Sequence, residues 1–152
     1  MEARKKALKL LEFKDRSRKE LLEKLRASGF SEEESEDAAD YAASFGYVND
    51  LRYAENYIRS RMEQKSSRTI RTELMQKGIE PDLIGQAYDE VSLDEAPDEQ
   101  KIIRKLILKK YDAGEALTLK QYRNLCAGLA RRGFSYDDIM HVLSSMEITR
   151  TE

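Results

Sequence analysis

A helix-stop pattern occurs three times in this chain of 152 residues. A leucine is followed four positions later by glycine and then by a large apolar residue, as in Leu25–Phe30, Leu74–Ile79 and Leu129–Phe134. Glycine just past a helix end adopts the left-handed conformation at little steric cost, and the next residue packs back onto the helix. The pattern therefore predicts three helices that end in the same way.

The residues around each stop also predict where helices begin. A serine or threonine with an acid or amide three positions later is typical of a capped helix start. Before the predicted helices this pairing links Ser17 with Glu20, Ser31 with Glu34, Thr118 with Gln121, and Ser135 with Asp138. Pro81 suits the first position of a helix after the second stop, whereas the helix that begins near Ser66 is less clearly capped.

A third amphipathic segment precedes each of these helix pairs. Its apolar residues recur at helical spacing in Ala7–Leu11, Leu51–Met62 and Ile102–Ile107. The stop glycines are 49 and 55 positions apart, which leaves room for three short helices per unit. We therefore predict an all-α fold of about nine helices, arranged as three tandem three-helix repeats at 1–48, 49–95 and 96–152. Because units of this size bury a core by stacking, we expect an elongated, curved array.

Composition supports an all-helical, cytoplasmic protein. Charged residues make up 37% of the chain, only two prolines occur, and no strand-like alternation competes with the helical pattern. A single cysteine, Cys126, excludes an internal disulfide, and no apolar run approaches the length of a membrane span. We expect a monomer in the cytoplasm, without a membrane segment or a cleavable leader.

Charge is strongly segregated along the chain, although the net charge is only −2. Residues 1–28 contain ten basic and five acidic residues, whereas residues 29–50 contain seven acidic residues and no basic one, and this alternation repeats twice. Acids at helix starts and pairing between helices explain much of this pattern. Rows of basic residues on helix faces also suit the phosphates of a nucleic acid or an acidic protein groove. The candidate binding residues are Arg52, Arg59, Arg68, Arg71, Lys101, Lys105 and Lys109.

The chain lacks a recognisable catalytic or metal-binding constellation. His141 is the only histidine, so a histidine pair for a metal or a catalytic triad is impossible, and Cys126 is interpreted as a small core residue. The acidic run at Glu32–Asp37 lacks the ligand spacing of a calcium loop, and no glycine-rich phosphate loop occurs. We therefore predict no cofactor, no metal and no enzymatic activity.

One segment resembles a known family. The run FGYVNDLRYAENYIRSR, residues 45–61, is similar to the signature of the RecX family of recombinase regulators. KDRSRKELLEKL before it and IRTELMQKGIEPDLI after it also look like that family, in the same order and spacing. The resemblance covers residues 3–91 closely and the third repeat more loosely. One departure is Ser66, where many members have a glycine.

The resemblance implies a bacterial regulator that binds the RecA filament on single-stranded DNA. Such a protein lies in the filament groove, restrains ATPase, strand exchange and coprotease activities, and acts in recombinational DNA repair and the SOS response. Weak direct contact with DNA is compatible with this function. Two alternatives remain from the residues alone: a helical module that binds nucleic acid directly through its basic rows, and an uncharacterised enzyme.

Overall fold

The computed structural model describes residues 2–151. Within this range the chain forms nine α-helices and two short β-strands, which confirms the all-α prediction. The elements are α1 (Glu2–Phe13), α2 (Arg18–Ala27), α3 (Glu32–Ser44), α4 (Asp50–Arg61), α5 (Ser67–Gln76), α6 (Pro81–Asp94), α7 (Glu99–Leu108), β1 (Ala116–Thr118), α8 (Leu119–Arg131), α9 (Tyr136–Ser145) and β2 (Thr149–Thr151).

The three repeated stops have the predicted geometry. Gly29, Gly78 and Gly133 have φ values of +97°, +85° and +94°. In each case the N–H of the following apolar residue donates to the carbonyl of the predicted leucine, over 3.3, 3.1 and 3.3 Å. The glycine N–H donates to the carbonyl of the residue after that leucine. Both bonds of the Schellman motif are therefore present at all three stops.

The predicted helix starts are also confirmed. Ser17, Ser31 and Thr118 form reciprocal capping boxes with the third residue of the helix that follows, and Ser135 accepts from the Asp138 N–H. Ser66, the departure from the family pattern, is buried, and its hydroxyl accepts from the Thr69 N–H. A serine at this position therefore caps α5 instead of providing a flexible turn.

The described chain packs into two compact units. The first unit contains the residues up to Arg59 together with Thr72–Asp94, and the second contains Ser60–Arg71 together with the residues from Glu95 onward. The division falls within α4 and α5, so it does not test the three predicted repeat boundaries, which stay predictions. The elongated, curved arrangement stays a prediction as well.

Each unit has a hydrophobic core built from the predicted helix faces. In the first unit, small residues of α1 and α3 pack around the leucines of α2; the buried set is Ala3, Ala7, Leu21, Leu22, Leu25, Ala38, Ala39, Ala42 and Val48. Aliphatic residues of α7 and α9 dominate the second unit, with Leu117, Leu125, Leu129 and Phe134 completing the core. Alanines on facing helices allow close packing, whereas the second unit fills its interior with larger side chains.

A two-stranded parallel sheet in the second unit was not expected. β1 pairs with β2 in the register Ala116 to Thr149 and Thr118 to Thr151. Each strand has only three residues, which is too short for an alternating pattern to stand out in the sequence. The pairing nevertheless buries Leu117 beneath the ladder and fixes the chain that follows α9.

Candidate functional site

The predicted binding residues differ widely in what they contact. Arg52, in the first unit, donates from Nη1 to the Gly46 carbonyl over 2.6 Å and from Nη2 to the Tyr47 carbonyl over 3.2 Å. It also pairs with Asp15 at 3.2 Å. These carbonyls follow the C-terminus of α3, where cationic side chains stabilise a helix end. Stabilisation of the turn after α3 is therefore sufficient to explain why an arginine occupies position 52.

The other three predicted arginines are exposed. Arg59 forms an ion pair with Asp94 at 2.8 Å within the first unit. Arg68, in the second unit, donates to the Gly133 carbonyl over 3.1 Å and so supports the third helix stop. Arg71 lies one turn further along α5. Because Arg59 pairs with a carboxylate, its charge is partly neutralised before any ligand binds.

The predicted lysine row on α7 divides into two environments. Lys101 and Lys105 border a small depression together with the acidic residues Glu63, Glu95 and Asp98, and Lys105 pairs with Glu63 at 3.3 Å. Lys109 is exposed at the other end of the row and lines a different, larger cleft. Acids therefore offset the positive field around Lys101 and Lys105, whereas no acidic side chain is among the described residues that line the cleft at Lys109.

That larger cleft is a basic concave surface. It has a volume of about 680 Å³ and lies in the second unit; its lining residues are Gln64, Lys65, Leu106, Lys109, Lys110, Asn124, Leu125, Gly128, Leu129, Arg131 and Arg132. Five of these side chains are cationic, and none of the described lining residues is acidic. We call this surface the basic cleft. A concave surface of one charge sign concentrates the field and attracts anionic ligands.

Local structure positions the charges of the basic cleft. Lys109 is the C-cap residue of α7 and Lys110 follows it, whereas Arg131 is the last residue of α8 and Arg132 is its C-cap, just before the third stop glycine. The cleft is fastened on one side by Arg132, whose Nη1 donates to the Gln64 carbonyl over 3.0 Å, and by the Ser66 N–H, which donates to the Arg132 carbonyl over 3.0 Å. The helix-stop motif therefore places two arginines at the rim of the cleft.

Gly128 shapes the floor of the basic cleft. A Cβ at this position would meet only the Arg131 Nη2 atom, at 3.8 Å. Because Gly128 has no side chain, the α8 surface is recessed between Asn124 and Arg131. Polar groups without net charge, including the Asn124 amide, also line the cleft and can accept or donate hydrogen bonds. This combination suits a chain of phosphates or carboxylates.

A partly buried carboxylate lies near the start of α5. Glu99 Oε1 accepts from the Ser67 N–H over 3.2 Å, whereas Oε2 is buried and has no partner among the described residues. Burial raises the pKa of Glu99; the Ser67 N–H opposes this shift, and the nearby Asp138 and Asp98 reinforce it. Glu99 therefore helps to fix the start of α5 in the second unit, next to the Ser66 cap.

Most of the basic cleft was missed by sequence reasoning. Of its five cations, only Lys109 is among the predicted binding residues. Lys110, Arg131 and Arg132 lie at the ends of helices, so they do not belong to the rows of basic residues along helix faces that indicated the candidate binding residues. The available signal was the pairing of two basic residues at a helix end, in KK at 109–110 and RR at 131–132.

Two other predicted assignments are refined by the structure. Cys126 packs against the core of the second unit but remains half-buried, and burial raises the pKa of its thiol. His141 is exposed on α9. Within residues 2–151 no group of histidine, cysteine or acidic side chains is arranged to hold a metal ion. In the same range no helix is both long and apolar enough to cross a membrane.

Comparison with known proteins identifies the family. The family models for the first, second and third three-helix domains of RecX match residues 3–41, 49–87 and 98–143. The chain belongs to the RecX family. Its three tandem three-helix domains are thereby established, as the repeated stops predicted.

Individual relatives agree over most of the chain. The regulatory protein RecX of Vibrio vulnificus is 31% identical over 139 residues, which cover 91% of this chain and 88% of the relative. That of Caldanaerobacter subterraneus is 32% identical over 145 residues, covering 94% and 70%. The crystal structure of RecX from Lactobacillus salivarius superposes with a TM-score of 0.65 at 25% identity, over 96% of this chain and 95% of that one.

A second solved structure, a regulatory protein RecX, shares the fold with a TM-score of 0.70 at 23% identity, over 94% of this chain and 70% of that chain. The relatives carry the name of regulatory proteins. The family assignment, together with the helical repeat domains, is therefore supported by sequence and by fold.

Proposed function

We propose that this protein binds the RecA filament on single-stranded DNA and restrains its ATPase, strand-exchange and coprotease activities. It acts as a regulator without catalysis of its own. The proposal is supported by membership of the RecX family and by relatives named as regulatory proteins. The observation that carries it is the basic cleft, because a filament of protein and DNA is polyanionic along its length.

Among the predicted contact residues, the structure favours Lys109. Five cations and no acidic side chain are among the described lining residues of the basic cleft, so an incoming phosphate or carboxylate meets a predominantly positive surface. Lys101 and Lys105 lie beside acids, and Arg52 is engaged by backbone carbonyls. We therefore place the principal filament contact at the basic cleft, with the remaining predicted residues in a secondary role.

Direct binding of nucleic acid is the second candidate, because the same cleft suits a phosphate backbone. Binding to naked DNA by five phosphate-contacting cations would fall steeply with salt, with a slope of about −0.7 per contact for single strands. Filament binding that depends on protein contacts would persist when affinity for naked DNA has been lost. Salt dependence measured on both targets therefore separates the two candidates.

The test is RecA ATPase on single-stranded DNA with increasing amounts of the protein. We expect the wild type to lower the rate, and the variant with Lys110→Glu and Arg131→Glu to require more protein for the same effect. The matched control is Lys101→Glu with Lys105→Glu. It changes the net charge by the same amount, but on α7 and outside the basic cleft. Each variant is first checked for wild-type helicity by circular dichroism.

Equal inhibition by both variants would move the filament contact away from the basic cleft and leave the regulatory function standing. Absence of inhibition by the wild type would contradict the proposed function itself. Binding of naked oligonucleotide that is abolished by the cleft variant, in the absence of any effect on RecA, would favour the second candidate.

A further inference from the structure

A second groove in the second unit is apolar and has a different character from the basic cleft. It has a volume of about 700 Å³ and lies between α8, α9 and β2. Its lining residues are Tyr122, Arg123, Cys126, Ala127, Ala130, Tyr136, Ile139, Met140, Ile148, Thr149 and Arg150. We call it the arginine-flanked groove.

The sequence explains why this groove is open. Arg123, Ala127 and Ala130 follow one another at helical spacing along an exposed face of α8. The two alanines are too short to cover the adjacent side chain of Met140 on α9, which stays partly exposed, whereas Ile139 is buried. Apolar surface that would be covered by larger residues at these positions of α8 therefore remains accessible to a ligand.

Both charges in the groove are positive. Arg123 lies on α8 and Arg150 on β2, and none of the described lining residues is acidic. The Arg150 guanidinium lies 5.4 Å from the centroid of the Tyr122 ring, within range of a cation–π contact that holds it over the groove. The Arg150 charge also acts on the thiol that lines the groove: burial raises the pKa of Cys126, and Arg150 opposes this rise.

We propose that the arginine-flanked groove is a docking site for a short acidic and apolar segment of a partner protein. Apolar side chains of the segment occupy the space above the alanines, and carboxylates on either side pair with Arg123 and Arg150. The volume is in the range of sites that bind a few side chains. The flexible side chain of Met140, which lines the groove, adapts to different apolar side chains, as methionines do at other peptide-binding surfaces.

The lining favours a peptide over a nucleic acid. Six of the lining residues are aliphatic or sulfur-containing, and only two are cationic, whereas the basic cleft of the same unit offers five cations. One face of Tyr122 is occupied by Arg150, and its hydroxyl contacts the Met140 sulfur over 3.8 Å, so this ring is poorly placed for stacking on a base. The two surfaces therefore select different chemical classes of ligand.

The experiment uses Cys126 as a built-in reporter, since it lines the groove and is the only cysteine. The probe is a synthetic seven-residue peptide in which leucine and phenylalanine alternate with aspartate. The rate of Cys126 alkylation by iodoacetamide is measured on the full chain as peptide is added. We expect saturable protection, and weaker protection by the same peptide with asparagine in place of aspartate.

Variants locate the site. Arg123→Glu and Arg150→Glu are each expected to weaken peptide affinity by about threefold, the size typical of one exposed ion pair. Ala127→Phe fills the groove without changing charge and is expected to abolish protection by the peptide. Lys120→Glu, on the exposed surface of the same helix but outside the groove, is the matched charge control and leaves the affinity unchanged.

Two results would overturn the proposal. The first is a Cys126 alkylation rate that does not respond to the acidic peptide, or that responds equally to a version with lysine in place of aspartate. The second is protection by an oligothymidylate that exceeds protection by the peptide, which would assign the groove to nucleic acid. Neither result bears on RecA inhibition, because the peptide assay contains no recombinase.

Discussion

Replacement of Gly78 by alanine tests the helix-stop motif in a copy whose glycine is closely packed. Gly78 ends α5 with φ +85°, and a Cβ built on it would lie 2.6 Å from Lys19 Cβ and 2.8 Å from Lys19 Cδ. Lys19 is held in place, because its Nζ donates to the Gln76 carbonyl over 3.1 Å and the neighbouring Ser17 hydroxyl donates to the Lys77 carbonyl over 2.7 Å.

The expected loss of stability has two parts. A non-glycine residue in the left-handed conformation costs about 1 kcal/mol. Forcing α2 to move away from an inserted methyl group costs about 1 to 3 kcal/mol more, as in other overpacked sites. Gly78→Ala should therefore lower the free energy of unfolding of the first unit by about 2 to 4 kcal/mol, and Gly78→Val by more because of its β-branch.

Two matched variants separate these parts. Gly29 has φ +97° but nothing within 4 Å of an added Cβ, so Gly29→Ala measures the conformational cost alone. Gly85 lies inside α6 with open space around it, so Gly85→Ala should stabilise the helix by about 0.5 to 1 kcal/mol. Urea unfolding followed by circular dichroism gives all three values. If Gly78→Ala is no more destabilising than Gly29→Ala, the close contact with Lys19 is not a determinant of the fold.

Three further outcomes are expected. Glu99→Gln should stabilise the protein at neutral pH. The folded-state pKa of Glu99 lies above 4.5, so the wild type loses stability as the pH rises through that pKa. The urea midpoint should therefore change less between pH 4 and 8 in the variant than in the wild type, and an equal change in both proteins would contradict this. Arg52→Lys should destabilise by about 1 kcal/mol, since an ammonium group cannot reproduce the forked bonds to the Gly46 and Tyr47 carbonyls, and an unchanged melting temperature would be inconsistent with the structural role. Gly128→Ala should raise stability by about 0.5 to 1 kcal/mol in the interior of α8; a fall in the melting temperature would show that the floor of the basic cleft tolerates no methyl group.

Local signals in the sequence predicted the ends of helices well. The stop glycines and the capping serines act through bonds between residues at most five positions apart, so their geometry is encoded where it occurs. One further stop was missed at Gly46, where the Tyr47 N–H donates to the Ala42 carbonyl over 3.0 Å. This stop has alanine, at Ala42, where the other three have leucine, so it does not match the repeated pattern.

Another missed stop shows the limit of a residue-based signal. The Ile148 N–H donates to the Leu143 carbonyl over 3.1 Å, and Glu147 occupies the left-handed position with φ +56°. A glutamate there carries a conformational cost that only the surrounding structure repays. Pairing of β2 with β1 directly after this turn supplies such support, and neither feature is visible in a window of a few residues.

The candidate site depended on tertiary packing and was predicted only in part. Helical phase correctly placed Lys101, Lys105 and Lys109 on the surface. It could not show that acids from other segments surround the first two, or that Lys109 faces a cleft shared with Arg131 and Arg132. Similarly, the exposure of Arg52 was predicted from its helix face, whereas its bonds to backbone carbonyls depend on the turn after α3.

Filament binding through the basic cleft is tested by RecA ATPase on single-stranded DNA, titrated with wild-type protein and with the Lys110→Glu, Arg131→Glu variant. We expect the wild type to lower the rate and the variant, with wild-type helicity, to inhibit only at higher concentration. Inhibition by the variant at the same concentration as the wild type would contradict the placement of the filament contact in the basic cleft. No effect of the wild-type protein at any concentration would contradict the regulatory function proposed for this chain.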